Sequence, residues 1–338
     1  MSESRGVTRR EALRITAVSG VALAFGGGLA WELVRRAGLH RVTETRARLG
    51  TLVTITSVHP EKDGGRAIVQ AGFAEIERLE GILSRHAPGT AMSQLNREGR
   101  LDDAPAELVA VLGRAAYVHE LSGGAFDPSV LPLLALYERR HQREAGLPSD
   151  EEIGVALSSV GFDGVAVQDG TVRFGRPGMA ITLDGIAKGF VVDRAVRMIA
   201  ATGAERVMVD AGGDIASGGA GVAGDPWTVA IEDPHQPGPS TGRVRLAGQA
   251  VATSGDYMQA FTQDRRHHHI LDPRTGRSPD HTSSVTVVAA TAMDADALST
   301  ALLVLGPEEG LRLLERVDGA EGLVVTKDGL RFATDGMV

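Results

Sequence analysis

Residues 250–279, AVATSGDYMQAFTQDRRHHHILDPRTGRSP, crowd hydroxyls, carboxylates, a histidine run and two glycines into one short stretch. Its apolar start reads as a strand that runs into a polar turn at Thr253, Ser254, Gly255 and Asp256. A second strand is expected to end at His269, Ile270 and Leu271, followed by a sharp turn through Asp272, Pro273, Arg274, Thr275 and Gly276. Neither a plain core strand nor a surface helix has a use for this mixture. Polar side chains at strand ends are the usual mounting for chemistry on a rigid scaffold.

Outward from this pair, strand and helix patterns are interspersed without strict βαβ repetition. Residues 52–58 alternate apolar with Thr and Ser like a half-buried strand. Ile68, Val69, Phe73, Ile76, Leu79, Ile82 and Leu83 follow at helical spacing. Asp103 and Pro105 start a second helix that Gly123 ends, and Ser149 starts a weaker third. Strands are expected at 165–167, 172–174, 179–183, 206–209, 227–231, 244–246 and 285–288, with helices over 189–201 and 293–305. Residues 35–48 read as a basic linker, and a short helix and a hairpin close the chain. The fold class is α+β, as one mixed domain of packed sheets and helices over 41–338.

The chain has 338 residues, enough for a sizeable core. Hydrophobic residues make up 43% and charged residues 23%, a globular balance. Aromatics at 4% and a net charge of −8 argue against nucleic acid as a partner, so a phosphate-rich ligand needs a local cation or a metal. The absence of cysteine excludes disulfides, thiolate metal sites and a cysteine nucleophile. Residues 1–40 differ from the rest: Arg9 and Arg10 precede an apolar run over 15–31. That is the layout of a twin-arginine signal or anchor, which predicts export to the periplasm or the outer face of the cytoplasmic membrane and leaves membrane attachment open.

Four further segments carry candidate chemistry. Ser122-Gly123-Gly124-Ala125-Phe126-Asp127 reads as a helix cap and turn, or as backbone brought against a flat or phosphorylated ligand with Asp127 as anchor. Asp184-Gly185-Ile186-Ala187-Lys188-Gly189 opens a helix whose N–H groups suit phosphate, with Lys188 as cation; it lacks the Walker spacing. Asp210-Ala211-Gly212-Gly213-Asp214 reads as a tight turn or a site. Asp296 and Thr300, four apart on one helix face, are hard oxygen ligands suited to Mg²⁺, or else an N-cap and a solvated face. Of His267, His268 and His269, strand alternation lets at most two meet one metal; one is expected to face the site, and His269 is the candidate acid or base.

Taken in order, these segments resemble the ApbE family of FAD:protein FMN transferases. The matching blocks are LGTLVTIT (49–56), ILSRHAPGTAMSQLN (82–96), SGGAFDPSV (122–130), LDGIAKGFVVD (183–193), DAGGDIASGG (210–219), ATSGDY (252–257), HILDPRTG (269–276) and DADALSTALLVLG (294–306). The resemblance implies a T-fold-like domain that binds FAD and Mg²⁺. Such an enzyme passes FMN to a threonine of a target flavoprotein in a membrane electron-transfer complex, leaving AMP. It implies a metal held by Asp296, Thr300 and the carbonyls of Gly185 and Ser299. The flavin pocket it implies uses Leu49, His86, Ala125, Phe126, Asp127, Thr182, Asp184, Lys188, Thr253, Ser254, Gly255, His269 and Ile270. His269 and Asp256 are the candidate bases. The chain departs from the family pattern at Leu49, where methionine is usual, at His86, where tyrosine is usual, and at Thr182, where aspartate is usual. Asp184, on the same strand face as Thr182, is the candidate replacement. Hydrolysis of FAD to FMN and AMP, and a non-catalytic flavin-binding role in maturation, are the alternatives.

Overall fold

A computed structural model describes residues 21–22, 38–221, 224–236, 238 and 240–337. The paired arginines Arg9 and Arg10 and most of the apolar run of the expected export signal lie outside the described residues. Among those residues, no helix is long and apolar enough to cross a membrane.

The first half of the chain contains β1 (Val21–Ala22), β2 (His40–Arg48), β3 (Thr51–His59), α1 (Lys62–Leu83), α2 (Ala91–Glu98) and β4 (Arg100–Leu101). It continues with α3 (Ala106–Leu121), α4 (Leu131–Gln142), α5 (Asp150–Leu157), β5 (Val165–Gln168) and β6 (Thr171–Phe174). After α6 (Ala187–Ala200) come β7 (Arg206–Ala211), β8 (Asp214–Gly218), β9 (Trp227–Glu232), β10 (Ser240–Leu246) and β11 (Ala250–Gly255). Then follow β12 (Thr282–Ala289), α7 (Ala292–Leu314), β13 (Glu321–Thr326) and β14 (Arg331–Ala333). The α+β expectation holds.

An eight-stranded sheet in the order β14-β13-β12-β11-β8-β7-β3-β2 is the frame. Every neighbouring pair in it is antiparallel. Alternate side chains leave its two faces. One face (Val53, Ile55, Val207, Val209, Ala252, Val285 and Val287) packs under the helices. There α1 lies against α6 and α6 against α7. The other face (Met208, Ile215, Val251 and Val288) packs on Trp227, Val229, Val244 and Leu246 of the small β1-β9-β10 sheet. Covered on both sides, β12 is buried along its whole length, which explains why it reads as a near-continuous apolar and hydroxyl run.

Three segments differ from the sequence reading. The basic linker over 35–48 is, from His40 on, the edge strand β2, paired with β3 over nine residues. Its alternating charged residues sit on an edge, where charge discourages further pairing. Residues 179–183 form no strand, because Asn96 takes their backbone: Ile181 N–H donates to Asn96 Oδ1 at 2.8 Å, and Asn96 Nδ2 donates to the Ile181 carbonyl at 2.9 Å. The second strand expected to end at Leu271 is instead an irregular excursion between β11 and β12, tied by isolated bridges at Ala260–His268 and Asp272–Arg277. Helices α2 and α4 went unread in the sequence.

Candidate functional site

Two cavities meet at Asp184 and Lys188, which line both. The larger by open space, about 1050 Å³ counting its solvent-filled mouth, opens at the end of β11 against the first turns of α7, the turn at 125–130 and His269. The smaller, about 940 Å³, is bounded by Leu49 and Gly50 of the β2–β3 hairpin, Glu80 and Leu83 of α1, and Ser84 and His86 beyond it.

At the junction the Lys188 ammonium pairs with Asp214 and stands 3.9 Å from Asp296 Oδ1. Burial acts to strip its proton, but the charges of Asp214 and Asp296 outweigh it and raise the lysine above its ordinary value. Gly189 N–H donates to Asp296 Oδ2 at 3.2 Å. This contact needs glycine: an added Cβ would stand 2.2 Å from the Ala292 carbonyl oxygen, so α6 and α7 meet backbone to backbone here. It also corrects the reading of the α6 start as a phosphate cradle. Ile186 and Ala187 N–H are bound to the Leu183 carbonyl and Gly189 N–H to Asp296, so the positive charge this segment offers is the Lys188 side chain.

Two buried acids, Asp214 and Asp296, share one ammonium. Burial first, and then the Asp214 charge, push the Asp296 carboxyl up to about 8. Thr300, one turn along α7, presents its hydroxyl to the same cavity. Gly185 lets the chain close on it, since an added Cβ would stand 2.9 Å from Thr300 Oγ1. Carboxylate, hydroxyl and backbone carbonyl form a hard oxygen set that fits Mg²⁺. Among the described residues no three of His, Cys, Asp or Glu converge, so the protein supplies a partial shell at most. Ser299 is not in the cavity lining. It lies within α7, where its hydroxyl donates to the Asp296 carbonyl and meets Ser254 Oγ at 2.8 Å, while Ser254 also reaches Thr300 Oγ1 at 3.2 Å.

His269 lines the larger cavity. Its Nδ1 donates to the Gln259 carbonyl at 3.2 Å, which leaves Nε2 as the lone-pair nitrogen. Burial lowers its pKa, so it is neutral at pH 7. The other two histidines do not line this cavity. His268 is fully buried with Nε2 donating to the Pro279 carbonyl at 3.2 Å, and burial drives it down to about 3.

Asp256 does not join this group. Its carboxylate accepts from Lys327 Nζ at 3.0 Å and Ser283 Oγ at 2.9 Å, behind the cavity wall, so it braces the excursion instead of facing a substrate. Asp127 lines the cavity, but its carboxylate is spent on the turn: Oδ1 accepts from Ser129 N–H at 2.7 Å and Oδ2 from Phe162 N–H at 3.1 Å. Of the residues the resemblance puts in one flavin pocket, Ala125, Phe126, Thr182, Thr253, Ser254, Gly255 and Ile270 line the larger cavity, and Leu49 and His86 the smaller.

Asp184 carries its own partners. Arg85 Nε donates to its Oδ2 at 2.8 Å, and His86 Nε2 stands 3.8 Å off. Burial works to raise this acid; His86 and Arg85 outweigh burial and hold it well below the usual carboxylate range. Sequence reading passed over Arg85 and Glu80, and named Asp214 only within a segment read as a tight turn or a site. Arg85 carried no signal beyond lying in a matched block.

Comparison with known proteins agrees with this geometry. A model of the ApbE family matches residues 49–324. The FAD:protein FMN transferase of Treponema pallidum (strain Nichols) is 33% identical over 328 residues, covering 90% of this chain and 89% of that protein. The transferase of the same name from Haemophilus influenzae is 30% identical, over 75% of this chain and 78% of its own. The crystal structure of the ApbE protein of Thermotoga maritima superposes with a TM-score of 0.79 at 32% identity, over 88% of this chain and 97% of its own. The flavin transferase ApbE from Vibrio cholerae gives 0.77 at 28% identity, over 88% and 98%. With a family match across most of its length and two paired cavities built from the matched blocks, the chain belongs to the ApbE family.

Proposed function

We propose that this protein is an FAD:protein FMN transferase that moves FMN from FAD to a threonine hydroxyl of a target flavoprotein and releases AMP. The observation that carries the reading is the pair of cavities meeting at Lys188, with Asp296 and Thr300 beside it. A dinucleotide has two bulky halves joined by a pyrophosphate. Here two cavities are joined by a charged neck. One half would occupy each cavity.

Phosphoryl transfer asks for positioning and charge neutralisation more than covalent help from the protein. Asp296, Thr300 and the Gly185 carbonyl would hold Mg²⁺, which when bound supplies charge neutralisation at the pyrophosphate. Lys188 stabilises the charge that grows on the leaving phosphate. His269 Nε2 takes the proton of the acceptor hydroxyl. The new Oγ–P bond forms on the FMN phosphorus while its bond to the bridging oxygen breaks, and that oxygen leaves with AMP. The proton stays on His269 until solvent removes it.

The test is incubation with FAD, Mg²⁺ and a candidate flavoprotein, followed by mass analysis of the target. A mass gain equal to FMN on a threonine, lost in Asp296→Ala, is expected. Bound FAD with no label on any target would overturn transfer, and release of free FMN without a target would instead make water the acceptor. Export by the twin-arginine route, motivated by Arg9, Arg10 and the apolar run after them, places the target outside the cytoplasm. Fractionation of cells carrying Arg9→Lys/Arg10→Lys is expected to leave the protein in the cytoplasm; an unchanged distribution would end that proposal.

A further inference from the structure

The neck between the cavities holds a second cation. Arg85 follows α1, on a loop pinned by Thr90, whose hydroxyl donates to the Ser84 carbonyl at 2.6 Å. Its side chain is only 14% exposed and lines the larger cavity. Its chain neighbours Ser84 and His86 line the smaller one. Nε is engaged by Asp184 at 2.8 Å, and Nη2 reaches Glu138 Oε1 at 3.5 Å. Among the described residues no partner is recorded for Nη1.

The charges at the neck give this arrangement a consequence. Asp184 lines both cavities, directly in the path of any ligand that spans them. A pyrophosphate placed there would face the Asp184 carboxylate, and like charges at close range repel. Lys188 also faces Asp214 and Asp296, so it cancels only part of the charge that a pyrophosphate would bring. A guanidinium is a planar fork able to hold a carboxylate on one edge and a phosphate on another, which an ammonium cannot do. Resting on the flavin-transfer reading above, we propose that Arg85 is a further substrate-binding residue: its Nε edge neutralises Asp184 while its Nη1 edge grips the pyrophosphate of FAD.

Two roles can be separated, cancellation of Asp184 and direct contact with phosphate. FAD binding to the purified full chain with Mg²⁺, without a target, is read by flavin fluorescence, with riboflavin as the phosphate-free probe. Arg85→Met is expected to weaken FAD by about 10–100-fold, the loss of one charge-assisted contact, and to leave riboflavin binding unchanged. Asp184→Asn restores nothing when added to Arg85→Met. Recovery of FAD affinity in that double variant would overturn the direct contact, as would an unchanged affinity in Arg85→Met alone. If Arg85→Met does not fold, Arg85→Lys replaces it and is expected to lose FAD affinity several-fold, because one ammonium cannot serve both anions. Failure of the unmodified protein to bind FAD would reject the flavin reading and this assignment together; bound FAD with no effect at Arg85 rejects this assignment only.

Discussion

His269 and Asp256 stand thirteen positions apart in the chain and were equal candidates by residue type. The structure separates them by their partners. His269 has one nitrogen tied to the Gln259 carbonyl and the other free toward the cavity, and its lowered pKa keeps it a base at neutral pH. His269→Ala is expected to slow transfer by about 10²–10⁴-fold with FAD binding retained, measured as single-turnover labelling beside fluorescence binding. Because only neutral imidazole accepts the proton, and burial depresses its pKa below 6.5, the rate is expected to hold through pH 6.5 and fall only below it. That acid limb should vanish in His269→Ala. Asp256→Ala acts differently. It leaves the largely buried Lys327 without its carboxylate, and a cost of about 3 kcal/mol in denaturant unfolding is expected. Both residues could be singled out from the sequence; their division of labour could not, since it depends on Lys327, seventy-one positions away from Asp256.

At the scale of elements, the site depends on two helix starts held face to face. Gly189 at the head of α6 touches the Ala292 backbone. Asp193, one turn further along, accepts from Ala292 N–H at 2.8 Å and Met293 N–H at 3.0 Å, capping α7 from a neighbouring helix. Gly189→Ala would gain about 1 kcal/mol of helix propensity in isolation. Here it is expected to destabilise by about 1–3 kcal/mol and to displace Asp296, read as lower Tm and weaker FAD binding. Asp193→Ala leaves two N–H groups unpaired and is expected to cost about 2–3 kcal/mol. The excursion at 256–281 makes an acid-stability prediction. His268 has a folded pKa of about 3, depressed from its ordinary 6.5 by burial, so the unfolded chain binds the proton more readily. Its contribution is therefore complete above about pH 6.5 and is lost as pH falls toward 3. His268→Gln, which keeps a donor for the Pro279 carbonyl, should flatten that loss in unfolding measured from pH 7 to pH 4. Elements with strong periodicity, α1 and α7 among them, were legible. Helix α2 was not: it is eight residues long with only Met92 and Leu95 buried, and its Thr90 cap resembles any loop threonine. The segment at 179–183 was misread because its backbone partner is a side chain, Asn96, which no local pattern reveals.

At the scale of the whole molecule, strand order brings the parts together. β11 lies between β8 and β12, so Ser254 at its end reaches Ser299 and Thr300 on α7, while Asp214 at the start of β8 reaches Lys188. Asp214 and Asp296 share a single ammonium, so a divalent cation that displaces the Asp296 proton is the natural counter-ion. Removing it with EDTA is expected to suppress transfer by at least about 100-fold, with recovery on adding Mg²⁺; full activity in chelator would remove the metal from the mechanism. The sequence by itself determined the fold class, the family and most of the cavity-lining residues, because these are written in local periodicity and in contiguous blocks of residue types. Only the tertiary structure decided which acids face the cavity, that the amides of Ile186, Ala187 and Gly189 at the start of α6 are already bonded, and that Arg85 stands at the neck. Those outcomes depend on pairings between residues tens to more than a hundred positions apart, and a side chain's partner across such a separation is set by how the strands are ordered and the helices packed.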